Sequence, residues 1–323
     1  MPTKSILVVG GAGYIGSHMV DILRQADLMP VIIDNLSTGH QEAALGSELI
    51  VGDIADLTLL QQVFAMHDFS AVMHFASFIQ VGESVKDPAK YYVNNVAGTL
   101  NLLNAMLQAN VNKFIFSSTA AVYGEPLYIP IDEEHVIAPI NPYGHSKRMV
   151  EQILEDYACA YGLQFVSLRY FNAAGADPAG KLAERHEPET HLIPLVLQAA
   201  QDKKRPITVF GRDYPTPDGT CVRDYIHVTD LCEAHLLALQ ALMAGKKSGI
   251  YNLGAGQGYS VQQVIDVARR VTQRDITVLE GDRRPGDPAI LIANPKRAMQ
   301  ELNWQPKYTD LQAIIAHAWQ VVR

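Results

Sequence analysis

A tyrosine and a lysine stand four residues apart in "NPYGHSK" (141–147), as Tyr143 and Lys147. On a helix that separation puts both side chains on one face, one turn apart. An ammonium beside a phenol favours the phenolate, and bringing a tyrosine from about 10 to near 7 takes roughly 4 kcal/mol of differential stabilisation. A second positive charge in a water-poor cleft completes that amount, leaving a general base near operating pH. The competing reading is an exposed Lys147 paired with Glu151 at the next turn. Position decides between them. The run "FIFSST" (114–119) reads as a strand just upstream, so Ser118 and Thr119 fall at the carboxyl edge of a sheet, where ligands of α/β proteins bind. A hydroxyl there shares a substrate proton with the tyrosine.

A second chemical signal lies at the other end of the chain. The strand-like "ILVVG" (6–10) runs into Gly10, Gly11, Gly13 and Gly16, with a helical pattern from about Tyr14. Such a turn lets the backbone approach a pyrophosphate at the positive end of a helix. The spacing is GxxGxxG, weak evidence alone, but Asp34 ends the next strand 18 residues beyond Gly16. A carboxylate there accepts both ribose hydroxyls and repels a 2′-phosphate, which favours NAD over NADP. The nicotinamide ring of NAD+ is then the second positive charge near Tyr143. The alternative is a tight turn with Asp34 capping a loop. Asp53, in "GDI", ends a third strand within reach of an adenine.

These residues need elements to hold them. Asn141 and Pro142 suit the cap and first turn of a helix, and apolar residues recur at 149, 150, 153, 154, 157 and 161. Short β-branched runs at 6–10, 31–35, 49–54, 71–76, 113–118 and 165–172 alternate with helical segments such as 14–26 and 90–109. Continuous apolar strands alternating with helices predict a doubly wound, mostly parallel Rossmann-type sheet covered on both faces. Beyond about 173, loops rich in proline and glycine sit among shorter helices. The expected division is a nucleotide-binding domain over 1–172 and a smaller substrate-binding α/β domain over 173–323, with a segment around 223–230 a candidate to pack back on the first.

Composition narrows the partners. The 323 residues carry 34 acidic and 26 basic side chains, a formal net charge of −8, and no run of basic residues. Phosphate neutralisation needs a clustered basic face, so nucleic acid is excluded as a partner. Cys159, Cys221 and Cys232 are widely spaced without a CxxC, which fits buried thiols in a reducing compartment. No apolar run approaches the roughly 18 residues of a membrane span, and "SILVVG" is too short for a secretory segment. A cytoplasmic protein is expected. His74, His145 and the other nine histidines show no metal-ligand spacing, so no metal is expected.

Together the glycine turn, Asp34, Thr119 and Tyr143-x-x-x-Lys147 resemble the extended short-chain dehydrogenase/reductase family. The stretches "GGAGYIGSH", "VGESV", "YYVNNVAGT", "FSSTAAVYG", "NPYGHSK", "LRYFNAAGA", "DYPTPDGTCVRDYIHV", "YNLGAGQGYSV" and "RRPGDP" are similar, over nearly the whole chain, to its nucleotide-sugar 4-epimerase branch. The resemblance implies interconversion of UDP-glucose and UDP-galactose through a 4-keto sugar, in galactose metabolism or supply for polysaccharides, with NAD retained as a prosthetic group. It implies Tyr143 as base and acid, Lys147 on the nicotinamide ribose, and Thr119 on the sugar 4-OH. Cofactor contacts would come from Gly10, Gly13, Tyr14, Ile15 and Gly16, from Asp34, Asn35, Ser37, Thr38 and Gly39, and from Asp53, Ile54, Phe75, Ala76, Asn94, Ser117 and Tyr170.

Substrate contacts would come from Asn172, Arg223 and Arg284 on the pyrophosphate and Phe210 near the uracil. Tyr225 and Asp287 would place uridine, and His191, Leu192, Thr208 and Leu291 complete the set. Ile79 stands where some members carry a lysine. Leu291 leans against bulky N-acetylated sugars without excluding UDP-GlcNAc. A dehydratase would need an Asp-Glu pair where Ala120 and Ala121 stand. A UDP-pentose 4-epimerase would use the same catalytic residues, whereas an NAD-sensing regulator would have no use for them. The resemblance also implies a homodimer, through a four-helix bundle built from 93–107 and 149–161.

Overall fold

A computed structural model describes residues 4–284 and 287–322. The chain forms two compact units. The first holds residues up to 124, 137–169 and 232–251; the second holds 125–136, 170–231 and the remainder from 252. This differs from a single cut after 172. The segment 125–136 is claimed by the second unit, where Ile131 exchanges backbone hydrogen bonds with Ile292 and Asn294. The segment 223–230 stays in the second unit, and 232–251 returns to the first instead. Its strand residues lack a periodic signal, and its membership is set by pairing with a partner some eighty residues away.

The first unit is built on strands β1 (Ser5–Val9), β2 (Met29–Asp34), β3 (Glu48–Val51), β4 (Phe69–His74), β5 (Lys113–Thr119) and β6 (Gln164–Tyr170). The order across the sheet is Gly249–Leu253, β6, β5, β4, β1, β2, β3. Pairings of β1 with β2 and β4, β2 with β3, and β4 with β5 are parallel. All five residues of β1 are buried, as expected for a strand covered on both faces, and Leu7 and Val9 join Phe114, Phe116 and Leu102 in one core. Strand order reverses at β1 and β4, which opens a crevice beyond their carboxyl ends.

Helix Pro142–Tyr161 starts where the sequence predicts: Asn141 Oδ1 accepts from Gly144 N at 2.9 Å, and proline occupies the first turn. Gly162, at φ 72°, ends it in the left-handed region. Its buried face matches the predicted stripe in part, Ile153 and Tyr157 also packing against the core. Val150 and Leu154 are buried, but Met149 and Tyr161 are exposed, while Tyr143, Ser146, Lys147 and Glu151 are inside. A polar buried face cannot be read from hydrophobic periodicity.

The rod spanning 88–108 contains a π-helical stretch, Tyr92–Gly98, before Thr99–Gln108. Such stretches recur where a side chain must be re-aimed at a functional site.

In the second unit, helices Leu192–Gln201, Val261–Thr272 and Leu311–Val322 surround a core of Val196, Leu197, Val264, Ile265, Ile314 and Trp319. Helix Val261–Thr272 opens with a capping box between Ser260 and Gln263. Small ladders join Ile207–Phe210 to Val278–Gly281, and Val222–Arg223 to both Tyr259–Ser260 and Ile290–Leu291. The buried carboxyl of Asp224 binds the N–H groups of Ala255, Gly256 and Ala293, pinning these ladders.

Candidate active site

The glycine turn follows β1 as expected, and each glycine answers a different constraint. Gly10 sits at φ +79°, and a Cβ there would meet Ala76 N at 2.5 Å. A Cβ on Gly16 would lie 2.1 Å from Gly10 O, so helix Tyr14–Gln25 can approach the turn only without one. Gly13 is different. It is the N-cap of that helix, no side chain caps it, and a Cβ there would meet only Gly10 O, at 3.5 Å. The space above an uncapped helix N-terminus is where a pyrophosphate fits.

Asp34 is buried, its Oδ2 accepting from Ala12 N and its Oδ1 from Leu36 N, each at 2.9 Å. A carboxylate offers about four lone-pair sites, so two stay available for a ribose diol. Asn35 and Asp53 are bonded at 2.8 Å, and Asp53 also accepts from Ala55 N. Ser37, Thr38 and Gly39 fold the following loop back, His40 N reaching Ala12 O at 3.0 Å. Tyr14 and Ile54 are buried; Ile15 turns its carbonyl to Cys232 Sγ.

On the other side of the crevice, Thr119 and Tyr143 stand within reach of one another. Burial pushes the Tyr143 phenol up, and Thr119 works against that. Lys147 is 4% exposed, which excludes the surface-lysine reading. Its Nζ donates to Ser117 O at 2.8 Å and lies 4.9 Å from the Phe116 ring centroid. Burial pulls Lys147 down to about 7, with Glu151 opposing. In the chain alone desolvation dominates Tyr143, and Lys147 is engaged with a carbonyl. His74 is held neutral, driven down to about 3 by burial and then by Lys147, and bonds Thr99 Oγ1 at 2.9 Å.

Behind the pair stands a network absent from the sequence reading. Glu151 is fully buried and does not serve as a surface partner of Lys147. Arg169 grips it through Nε and Nη2, both at 2.8 Å, while Ser118 Oγ donates to it at 2.7 Å. Arg169 also reaches Tyr123 Oη. An arginine inside the apolar strand "FVSLRYF" was the available signal, because buried arginine is rare without a partner. Asn95 is a second omission. Its amide bonds both Phe78 N and Phe78 O and donates to Ser146 Oγ, tying the loop after β4 to the catalytic helix. Asn94 donates to Asn95 from the same π-helical stretch. The Phe75 ring lies 5.0 Å from His235, and Ala76 N bonds Val9 O.

In the second unit, Tyr170 ends β6, and Asn172 Nδ2 donates to Asp224 O at 2.9 Å. Arg223 pairs with Asp287, and the Arg284 guanidinium stands 4.0 Å from the Phe210 ring centroid. Leu291 is in register with Arg223, and Thr208 lies in the strand ending at Phe210. Arg223 and Leu291 thus share one ladder, Thr208 and Phe210 lie in a second and Asn172 in a third. Tyr225, 4% exposed, packs in the unit's core and lies within electrostatic reach of Arg223 and Asp287. Leu192 packs on that core, and His191 Nδ1 is held by Glu184 and Glu189. With His186 these form a four-residue convergence that the histidine spacing does not predict.

Among the described residues, no helix is long and apolar enough to cross a membrane. Residues 6–254 match the model of the NAD dependent epimerase/dehydratase family. The chain is 50% identical over 315 residues to the UDP-glucose 4-epimerase of Halalkalibacterium halodurans, spanning 98% of this chain and 94% of that one. It is 51% identical over 319 residues to the enzyme of that name from Rhizobium meliloti, spanning 99% and 97%. Among solved structures, UDP-glucose 4-epimerase from Brucella ovis in complex with NAD superposes with a TM-score of 0.95 at 48% identity, covering 98% of both chains. The Bifidobacterium longum enzyme in complex with NAD+ and UDP gives 0.93 at 37% identity, again over 98% of both. With matches of that extent joined to a glycine turn, a buried carboxylate ending β2 and a Thr-Tyr-Lys set at one sheet edge, the chain belongs to the NAD-dependent epimerase/dehydratase family.

Proposed function

We propose that the chain interconverts UDP-glucose and UDP-galactose by inverting the sugar at C4. The observation that carries this is the meeting of Thr119, Tyr143 and buried Lys147 at the carboxyl edge of a sheet whose glycine turn suits a dinucleotide. The residues present fit NAD: the backbone of Gly10, Gly13 and Tyr14 would hold the pyrophosphate, Asp34 the adenosine ribose, and Lys147 the nicotinamide ribose. When bound, that cofactor supplies uptake and return of the C4 hydride.

The chain's own part is proton transfer and restraint. Tyr143 removes the proton of the 4-OH and later returns it, and Thr119 shares the proton across a short relay. In the chain alone burial keeps the phenol protonated, and the positive charge of bound NAD+ would favour the phenolate that accepts the 4-OH proton. Lys147 Nζ donates to Ser117 O, and Glu151 opposes loss of the lysine's charge. Inversion requires the keto sugar to present its other face, so binding energy must reside in the nucleotide. The arginines of the second unit, Arg223 and Arg284, suit a diphosphate, with Asn172, Phe210, Asp287, Thr208, His191, Leu192 and Leu291 as further contacts. Purified protein incubated with UDP-galactose and no added NAD is expected to form UDP-glucose, and Tyr143→Phe is expected not to. If neither converts it even with NAD supplied, the hexose reading fails.

We also infer a homodimer. Exposed Val93, Met149 and Tyr161 on the two helical rods of the first unit support it; sedimentation at micromolar concentration as monomer alone would refute it. The free cysteines support residence in the cytoplasm.

A further inference from the structure

The loop ahead of helix Leu192–Gln201 folds two glutamates and two histidines onto one point. His191 Nδ1 lies 2.9 Å from Glu184 Oε1 and 2.9 Å from Glu189 Oε1. His186 Nδ1 lies 3.1 Å from Glu184 Oε1 and 3.8 Å from Glu189 Oε2. One donor atom from each of the four lies within 4.8 Å of the other three. Four ligands set tetrahedrally at zinc distances stand about 3.3 Å apart. The observed separations straddle that value, so closing on an ion asks for only small side-chain shifts.

Burial sets this cluster apart from an ordinary acidic patch. Both glutamate side chains are 6% exposed, and two nearly buried negative charges require two positive ones. A divalent cation with two neutral imidazoles provides them; so does a pair of imidazolium protons with no metal. The donor set discriminates among metals. Calcium and magnesium take oxygen ligands, whereas two imidazole nitrogens with two carboxylates suit zinc and its first-row neighbours. Four protein ligands leave no open position, the mark of a structural site.

We propose that Glu184, His186, Glu189 and His191 form a structural divalent-metal site of the zinc type, clasping the loop that leads into helix Leu192–Gln201. His191 is the N-cap of that helix and gives it no side-chain cap bond, so the metal takes over fixing the chain's entry. The helix buries Ile193, Val196 and Leu197 in the core of the second unit, and the clasp therefore ties a long loop to a rigid element. The chelate is local, all four ligands falling within "ERHEPETH" (184–191).

The test uses the full chain without a histidine tag. Wild type, His186→Ala and Glu184→Gln are stripped with chelator, given one equivalent of ZnCl2, desalted and assayed for zinc by mass spectrometry. Wild type is expected to keep about one zinc per chain. Each variant is expected to bind it more than about tenfold more weakly, the least that even an outer-shell partner costs. Co2+ in place of Zn2+ should give the visible bands of a tetrahedral site in wild type alone. Glu184→Gln preserves shape, and circular dichroism of each variant separates metal loss from unfolding. Wild type retaining no more zinc than folded Glu184→Gln would overturn the proposal and leave two imidazolium–carboxylate pairs. Epimerase activity is assayed apart from zinc content, so either reading can fail alone.

Discussion

Replacing Glu151 by glutamine tests the buried network behind Tyr143 and Lys147. The carboxylate is fully buried and binds a 3%-exposed Arg169 through two 2.8 Å bonds. Glutamine keeps the shape and an acceptor for Ser118, but it removes the charge and turns an NH2 donor towards a guanidinium nitrogen. Removing one partner of such a pair costs about 3–5 kcal/mol, because the other charge stays buried and uncompensated. Urea unfolding followed by circular dichroism should register that loss in the transition of the first unit. Replacing both partners with apolar residues, Glu151→Leu with Arg169→Met, should recover most of it. A second readout separates positioning from stability. Glu151 is the group opposing desolvation of Lys147, so its loss should move Lys147 below about 7 and shift the alkaline limb of the rate profile to lower pH. A single variant within about 1 kcal/mol of wild type would refute the account of Arg169 as a buried charge held by Glu151.

Tyr143→Phe should lower kcat by about 10²–10⁴ while the protein still retains NAD, and turnover within tenfold of wild type would remove Tyr143 from proton transfer. Gly13→Ala and Gly16→Ala should part company: the first has room for its Cβ and should fold yet hold NAD weakly, whereas the second meets Gly10 O at 2.1 Å and should fold poorly. Equal melting curves and equal NAD content would contradict this. In cofactor-free protein, Lys147 lies near 7 against about 10.4 unfolded, so the unfolded chain binds more protons between those values and this group makes stability rise with pH across that window. Lys147→Met should remove that rise, as read from urea midpoints at pH 7 and 9; matching slopes for the two proteins would show that Lys147 is not desolvated.

Some of this was written locally. The glycine turn, Asp34 and the Asn141-Pro142 helix start are legible because a few adjacent residues set backbone conformation by their own sterics and caps. Tyr143 and Lys147 are legible for the same reason, since helical pitch alone puts them on one face. The strands β1 to β6 announce themselves by β-branched runs, to within three residues of their ends. Glu151 is different: it looked like a surface partner because an i,i+4 charge pair is the ordinary meaning of that spacing. Only packing brings Arg169 from β6 and Ser118 from β5 to it, and a trio drawn from three elements leaves no periodic trace. The strand Gly249–Leu253 and the return of 232–251 follow the same logic, because edge pairing is decided by which strand is left open. The cluster at 184–191 marks the limit most plainly. Its four side chains fall within eight residues, yet an irregular loop has no repeat from which to infer convergence, and only the folded backbone brings them to one point.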